Sequence, residues 1–207
     1  MMLLATNIGF IMNQQVVEKS DIIALCEPLL QKFKKADNEA KWSCPLPIGV
    51  FGTLRMHQGN NYLMTAGGKY LSHHKAFLPH YVAHGLSISF QKGASAVFEV
   101  FTYSPEVWKK MIGPVDRLEG FSPHRHYSDY GYHRTLVKMR LLPDDFKSPF
   151  YDGPRDSLLW GKERNLKIPM KNWDQYEECA AWVYSSRRQN SLCKETLGDN
   201  SPIIWDG

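Results

Sequence analysis

Apolar residues recur along this chain with two rhythms, and the change of rhythm divides it. From Gln14 to Lys35 the apolar positions Val17, Ile22, Ile23, Leu25, Cys26, Leu29, Leu30 and Phe33 fall mostly three and four apart. That spacing predicts an amphipathic helix, with Ser20-Asp21 placed to cap its second half. The polar run Lys35 to Glu39 reads as a linker, and Pro45 and Pro47 precede a strand that carries Phe51. From there the pattern turns to β-branched and aromatic residues with partial alternation. It predicts strands at His84 to Phe90, Ala94 to Tyr103, Arg134 to Leu142 and Cys179 to Tyr184. In the second of these, Val97, Glu99 and Phe101 share one face while Phe98 and Val100 share the other. A short helix is expected over Pro105 to Met111, with proline in its first turn and Gly113-Pro114 as its stop. Residues Pro143 to Glu178 are rich in proline, aspartate and lysine and read as an inserted loop region or lid with one helix. The polar tail from Ser185 is expected to lie over the surface. Together these elements predict an α+β fold: a mostly antiparallel sheet curled into a small mixed barrel with flanking helices. Residues 41–207 would form that domain, and 1–40 a helical N-terminal extension.

Composition changes this picture little. A chain of 207 residues that is 43% hydrophobic and 13% aromatic can bury a core as a single domain. The net charge of +4 is spread over short clusters such as Lys32 to Lys35 and Arg187-Arg188, and no nucleic-acid motif accompanies them, so no nucleic-acid partner is expected. Four separated cysteines without a CxxC pair suggest reduced thiols and a cytoplasmic protein. The apolar stretch Met1 to Met12 is too short to span a bilayer and lacks a basic flank; it reads as core or docking sequence. No membrane association is expected, and residues 1–39 are a candidate surface for a protein partner. His80 and His84 are four apart and His124-x-His126 follows Glu119, but no HExxH string occurs. These read as loop or surface histidines, with no metal expected; Asp129, Tyr130 and the histidines near them are candidates for shaping a pocket mouth.

Two segments carry candidate chemistry. Val50-Phe51-Gly52-Thr53-Leu54-Arg55 looks like a strand running into a glycine turn, where several backbone amides can converge on an anion. Val115-Asp116-Arg117-Leu118-Glu119-Gly120 presents a carboxylate beside a glycine on a short helical turn after Pro114. Read structurally, Glu119-Gly120 is a helix end with a glycine cap, and Gly52-Thr53 an ordinary turn. Read chemically, they are a proton carrier and an anion cradle.

These residues resemble the γ-glutamyl cyclotransferase-like family, which includes the AIG2-like and γ-glutamylamine cyclotransferase-like proteins. Its opening strand and turn, close to V-F-V-Y-G-T-L-R, is matched by Ile48 to Arg55. Its G-E-V-Y-like strand corresponds to Phe98-Glu99-Val100-Phe101, and its L-D-x-L-E-G segment to Val115 to Gly120. The Y-x-R that follows appears as Tyr132-His133-Arg134 and the late A-x-x-Y as Ala181-Trp182-Val183-Tyr184. The match spans roughly residues 48 to 142 and 180 to 184. Phe51 stands where tyrosine is usual, Phe98 replaces a glycine in a way that would narrow or reshape the pocket, and the Glu99 to Glu119 interval is a few residues longer than is typical of the family.

The resemblance implies an enzyme in which the α-amine of a γ-glutamyl group attacks its own γ-carbonyl. Such a reaction releases 5-oxoproline and an amine or amino acid, and needs no cofactor or metal. Glu119 would be the general acid/base, and an apolar pocket would raise its pKa. Phe51, Gly52, Thr53, Leu54 and Arg55 would bind substrate, the turn amides holding its carboxylate or the developing oxyanion and Arg55 adding charge from outside. Tyr132 and Tyr184 would line the cavity, though tyrosines in strands are commonly packing residues with a satisfied hydroxyl. Glu99 reads as a structural carboxylate and Arg134 as half of a structural ion pair. Two further readings stand beside the enzyme: a module that sequesters a small ligand in the same cavity, and an interaction scaffold acting through residues 1–39.

Overall fold

The computed structural model describes residues 19–84, 87–122, 132–146, 165–186 and 204–205. The chain is α+β. Helices α1 (Lys19–Lys35), α2 (Asn38–Trp42) and α3 (Pro105–Glu119) accompany seven strands: β1 (Ile48–Val50), β2 (Ser72–His84), β3 (Ser87–Thr102), β4 (Tyr132–Leu141), β5 (Asn165–Leu166), β6 (Glu178–Ser186) and β7 (Ile204–Trp205). Five strands close into a barrel in the order β1-β6-β4-β2-β3, and β1 returns to β3. The pairing is antiparallel except for β1 on β6, so the barrel is mixed. β5 adds to β3, and β7 lies parallel to β4.

Strand alternation sorts side chains into the barrel interior and an outer layer. Inside, Ala76, Leu78, Phe98, Val100, Val137, Met139, Ala181 and Val183 form one cluster. Outside, Ile48, Val50, Phe101, Leu136, Trp182 and Tyr184 pack with Phe33 of α1 and with Trp108, Met111 and Val115 of α3. A third cluster joins Phe77 and Val97 to Leu142 and Trp173.

Several elements differ from the sequence-based expectation. Ser20 and Asp21 sit inside α1 rather than capping it. The expected linker at 35–39 gives way to α2, because the Asp37 carboxylate accepts from the Ala40 amide at 2.8 Å and caps that turn. His84 ends β2, and Ser87 to Phe90 and the stretch after it are one strand, β3. β2 itself was not expected, because Ala76, Phe77 and Leu78 are all buried and give no alternation. Gly113-Pro114 does not stop α3, which runs on to Glu119. Ser185, assigned to a surface tail, is buried in β6 opposite His133.

Within the expected loop region, β5 pairs beside β3, and a 3-10 helix (Met170–Gln175) brings Trp173 to Phe77 of β2 at 6.2 Å. Residues 147–164, the N-terminal stretch 1–18, His124, His126, Asp129 and Tyr130 lie outside the described residues. Among the described residues no helix is long and apolar enough to cross a membrane. Cys26, Cys44 and Cys179 are free and buried, and burial raises their thiol pKa values, Cys26 to about 12 and Cys44 to about 11.

Candidate active site

Helix α3 delivers the carboxylate. Ser104 caps its start, accepting from the Val107 amide at 3.4 Å, and Pro105 occupies the first turn. Trp108, Met111 and Val115 form the buried stripe, and the Trp108 indole donates to the Leu46 carbonyl at 3.0 Å. The helix ends at Glu119 because Gly120 turns left-handed, with φ 68°, and its amide closes back on Arg117 and Asp116. Phe121 completes the closure, donating to the Asp116 carbonyl at 2.8 Å. The glycine cap and the candidate carboxylate are therefore one feature: the cap fixes where Glu119 points.

β1 delivers the other wall. Beyond Val50 the chain enters a turn whose shape is fixed from three sides. Glu99, only 2% exposed on β3, accepts from the Met56 amide at 2.6 Å and lies 3.4 Å from His73 Nε2. Asn60 donates from its side chain to Thr53 Oγ1 at 2.8 Å and from its backbone to the Thr53 carbonyl at 3.0 Å. Asn61 donates to the Leu54 carbonyl at 2.8 Å. With the carbonyls so engaged, the amides of Gly52, Thr53 and Leu54 have no acceptor among the described residues.

Between these walls lies a cavity of about 170 Å³, lined by residues 49–54, Asn60, Leu118, Glu119, Tyr132 and Tyr184. It brings together Glu119, Phe51, Gly52, Thr53, Leu54, Tyr132 and Tyr184. Arg55 is not among its lining residues. It is 5% exposed, and its Nε donates to the Gly52 carbonyl at 3.3 Å within its own turn. Phe98 does not line the cavity either; it packs behind Phe51 in the core, ring centroids 5.2 Å apart.

Electrostatics set the cavity's chemistry. Burial, with Asp116 adding repulsion, raises the Glu119 pKa to about 7. The Tyr132 hydroxyl is also raised, by burial and by the nearby Glu119. Below the cavity wall, the Tyr184 hydroxyl donates to Asp116 Oδ1 in a short hydrogen bond, and Arg134 Nη1 stands 3.3 Å from the same oxygen. Arg134 is 2% exposed, donates to the Trp42 carbonyl at 2.6 Å, and is enclosed by the rings of Trp42, Trp108, Phe121 and Trp182. A carboxyl half-ionised near neutrality beside open amides can take a proton from one group and return it to another while an anion is held opposite.

Two site residues were missed by sequence reasoning. Asn60 carries only a turn signal, since it sits in Gly59-Asn60-Asn61. Asp116 is visible in the sequence as the carboxylate three residues before Glu119, a spacing that puts both on one helix face, but its partners lie on β4 and β6. His80, considered for a metal, has φ 64° at a bulge of β2, accepts from the Gly93 amide at 3.2 Å and lies edge-on to Trp173, ring centroids 4.7 Å apart. No group of side chains suited to holding a metal ion occurs among the described residues. No family model, no curated protein and no solved structure matches this chain.

Proposed function

We propose that this protein is a γ-glutamyl cyclotransferase-type enzyme. The observation that carries the reading is a half-buried carboxyl, Glu119, with a pKa of about 7, in one small cavity with the open amides of Gly52 to Leu54. The order and spacing of the 48–142 motifs lend it further support.

In this reading the turn amides hold the substrate's carboxylate or the oxyanion that forms on its γ-carbonyl. The cavity folds the glutamyl group so that its α-amine approaches that carbonyl, an intramolecular geometry that removes much of the entropic barrier. Glu119 in its ionised form takes a proton from the attacking ammonium group. Carbon–nitrogen bond formation gives the tetrahedral intermediate, Glu119 returns the proton to the leaving nitrogen as the γ-amide bond breaks, and the second proton of the ring nitrogen then passes by way of Glu119 to the released amine, which departs as an ammonium ion. The products are 5-oxoproline and the released amine. A pKa near 7 suits both directions at neutral pH, whereas an ordinary glutamate at 4.5 is a weak base and is seldom protonated there.

A sequestering module is the second reading. It is favoured by Phe51, whose buried ring gives the cavity an apolar wall where tyrosine is usual. Incubation with a panel of γ-glutamyl amino acids, peptides and amines, followed by mass spectrometry for 5-oxoproline, separates the two. Turnover is expected, and Glu119→Gln is expected to lower it about 10²- to 10⁴-fold while the circular dichroism spectrum stays unchanged. A folded Glu119→Gln protein that retains turnover would overturn the assignment. Stoichiometric uptake of a ligand recovered intact would favour the module.

A further inference from the structure

Among the described residues, Asp116 is the carboxylate beside Glu119 that the proposed reaction leaves unused. It lies three residues earlier on α3, so the two acids share a helix face. One of its oxygens, Oδ1, takes both the Tyr184 hydroxyl from β6 and Arg134 Nη1 from β4. The ring of Tyr184 is itself part of the cavity wall. One carboxylate thus ties together helix α3, two barrel strands and the wall against which a substrate would lie.

We infer that Asp116 is the positioning residue of this site: it stays ionised between Arg134 and Tyr184, fixes the Tyr184 ring as a cavity wall, and sets the charge beside Glu119. The inference rests on the acid/base role proposed above for Glu119.

Two neighbouring acids in a partly dry site do not both ionise readily, and their surroundings decide which one holds the proton. Asp116 has one hydrogen-bond donor, the Tyr184 hydroxyl, and the Arg134 guanidinium at ion-pair distance. Among the described residues, the titratable groups facing Glu119 are Asp116 on its own helix, Tyr132 on β4 and, through Asp116, Tyr184 on β6. Burial pushes both acids upward, but at Asp116 Arg134 and Tyr184 oppose it, whereas at Glu119 the Asp116 charge adds to it. Glu119 is therefore the acid of the pair that carries the exchangeable proton. The Arg134 cation, enclosed by four aromatic rings, is the fixed end of the arrangement.

The test is a carbon-13 NMR titration of the side-chain carboxyls in the full chain, with the Glu119 signal assigned by its loss in Glu119→Gln. In the unsubstituted protein Asp116 is expected to titrate well below Glu119; the reverse order overturns the inference. In Asp116→Asn the Glu119 midpoint is expected to fall by about one unit, as loss of a near like charge dictates. An unchanged midpoint in the folded variant also overturns it. Should that variant fail to fold because Arg134 is left buried without a counter-charge, Asp116→Asn combined with Arg134→Gln removes the pair whole and is expected to give the same fall. Because the titration needs no substrate, its failure is separate from failure of the cyclotransferase reading. If turnover is found, the acid limb of its pH profile should move with the midpoint, which a purely structural role would leave in place.

Discussion

Glu119 is held where ionisation is unfavourable, and that has a consequence for stability that is independent of any substrate. Its pKa is about 7 in the folded chain against an ordinary value of 4.5. Below the ordinary value the acid is protonated in both states and contributes nothing unfavourable. Between about 4.5 and 7 the unfolded chain loses its proton while the folded chain keeps it, so folding stability falls as pH rises; above 7 the loss is complete. For a group in an open cavity that loss is on the order of 2 kcal/mol. Glu119→Gln removes the titration, so the variant is expected to be more stable than the unsubstituted chain at pH 8 and nearly equal to it at pH 4.5. Urea denaturation at the two pH values checks this, and equal stability of the two proteins at pH 8 would count against the raised pKa of Glu119. At this scale the sequence was informative about Glu119 and residues 51–54, because each lies in a short contiguous motif. It was uninformative about Arg55, Asp116 and Asn60, whose roles depend on partners: the Gly52 carbonyl, strands β4 and β6, and the turn around Thr53.

Helix α3 is the element on which the site depends, and its local sequence argues against its length. Pro114 lacks the N–H that would bond the Lys110 carbonyl, and Gly113 disfavours helix. The helix nonetheless continues because Trp108, Met111 and Val115 keep one buried stripe across the interruption and because Gly120 provides the stop. Packing overrides propensity here, as it does in β2, where burial on both faces erases alternation. Two glycine substitutions separate these influences. At Gly67 an added Cβ would stand 2.5 Å from the Val107 carbonyl oxygen and 2.8 Å from the Met111 amide nitrogen, both backbone atoms of α3. Gly67→Ala must push the helix outward and is expected to cost about 1 to 3 kcal/mol. At Gly113 the nearest atom is the far end of Arg117, 3.9 Å away. Gly113→Ala is expected to gain about 0.5 to 1 kcal/mol from helix propensity alone. Denaturant midpoints for the two variants should move in opposite directions, and a shared sign would mean that α3 is not positioned by this contact.

At the scale of the whole molecule, the barrel and its first helix form one packed body among the described residues, and the sequence obscured this. The closing contact, β1 on β6, joins residues more than 130 positions apart, and no periodicity within either strand announces it. Residues 19–35 read as an amphipathic helix that could have served as a detachable arm. In the structure that helix buries Ile22, Cys26 and Phe33, with Phe33 set edge-on to Trp182 at 5.6 Å. The Trp182 indole in turn donates to the Cys44 carbonyl at 3.0 Å, and Arg134 donates to the carbonyl of Trp42, the last residue of α2. The segment that follows α1 therefore anchors the same arginine that pairs with Asp116. A partner binding residues 19–35 would have to use the outward face, where Leu25 is exposed. Deleting residues 1–36, which spares the Asp37 cap, removes the burial of Ile22 and Phe33 at about 1.5 to 3 kcal/mol each. Measured against a total stability of about 5 to 15 kcal/mol, that loss should lower the thermal midpoint sharply and weaken the cavity through Trp182 and Arg134. Phe33→Ala alone should give a milder form of the same defect, about 3 kcal/mol. A truncated chain that melts where the full chain does, and binds γ-glutamyl compounds as well, would show that the helix is an appendage and return residues 1–39 to the role of a free interaction arm.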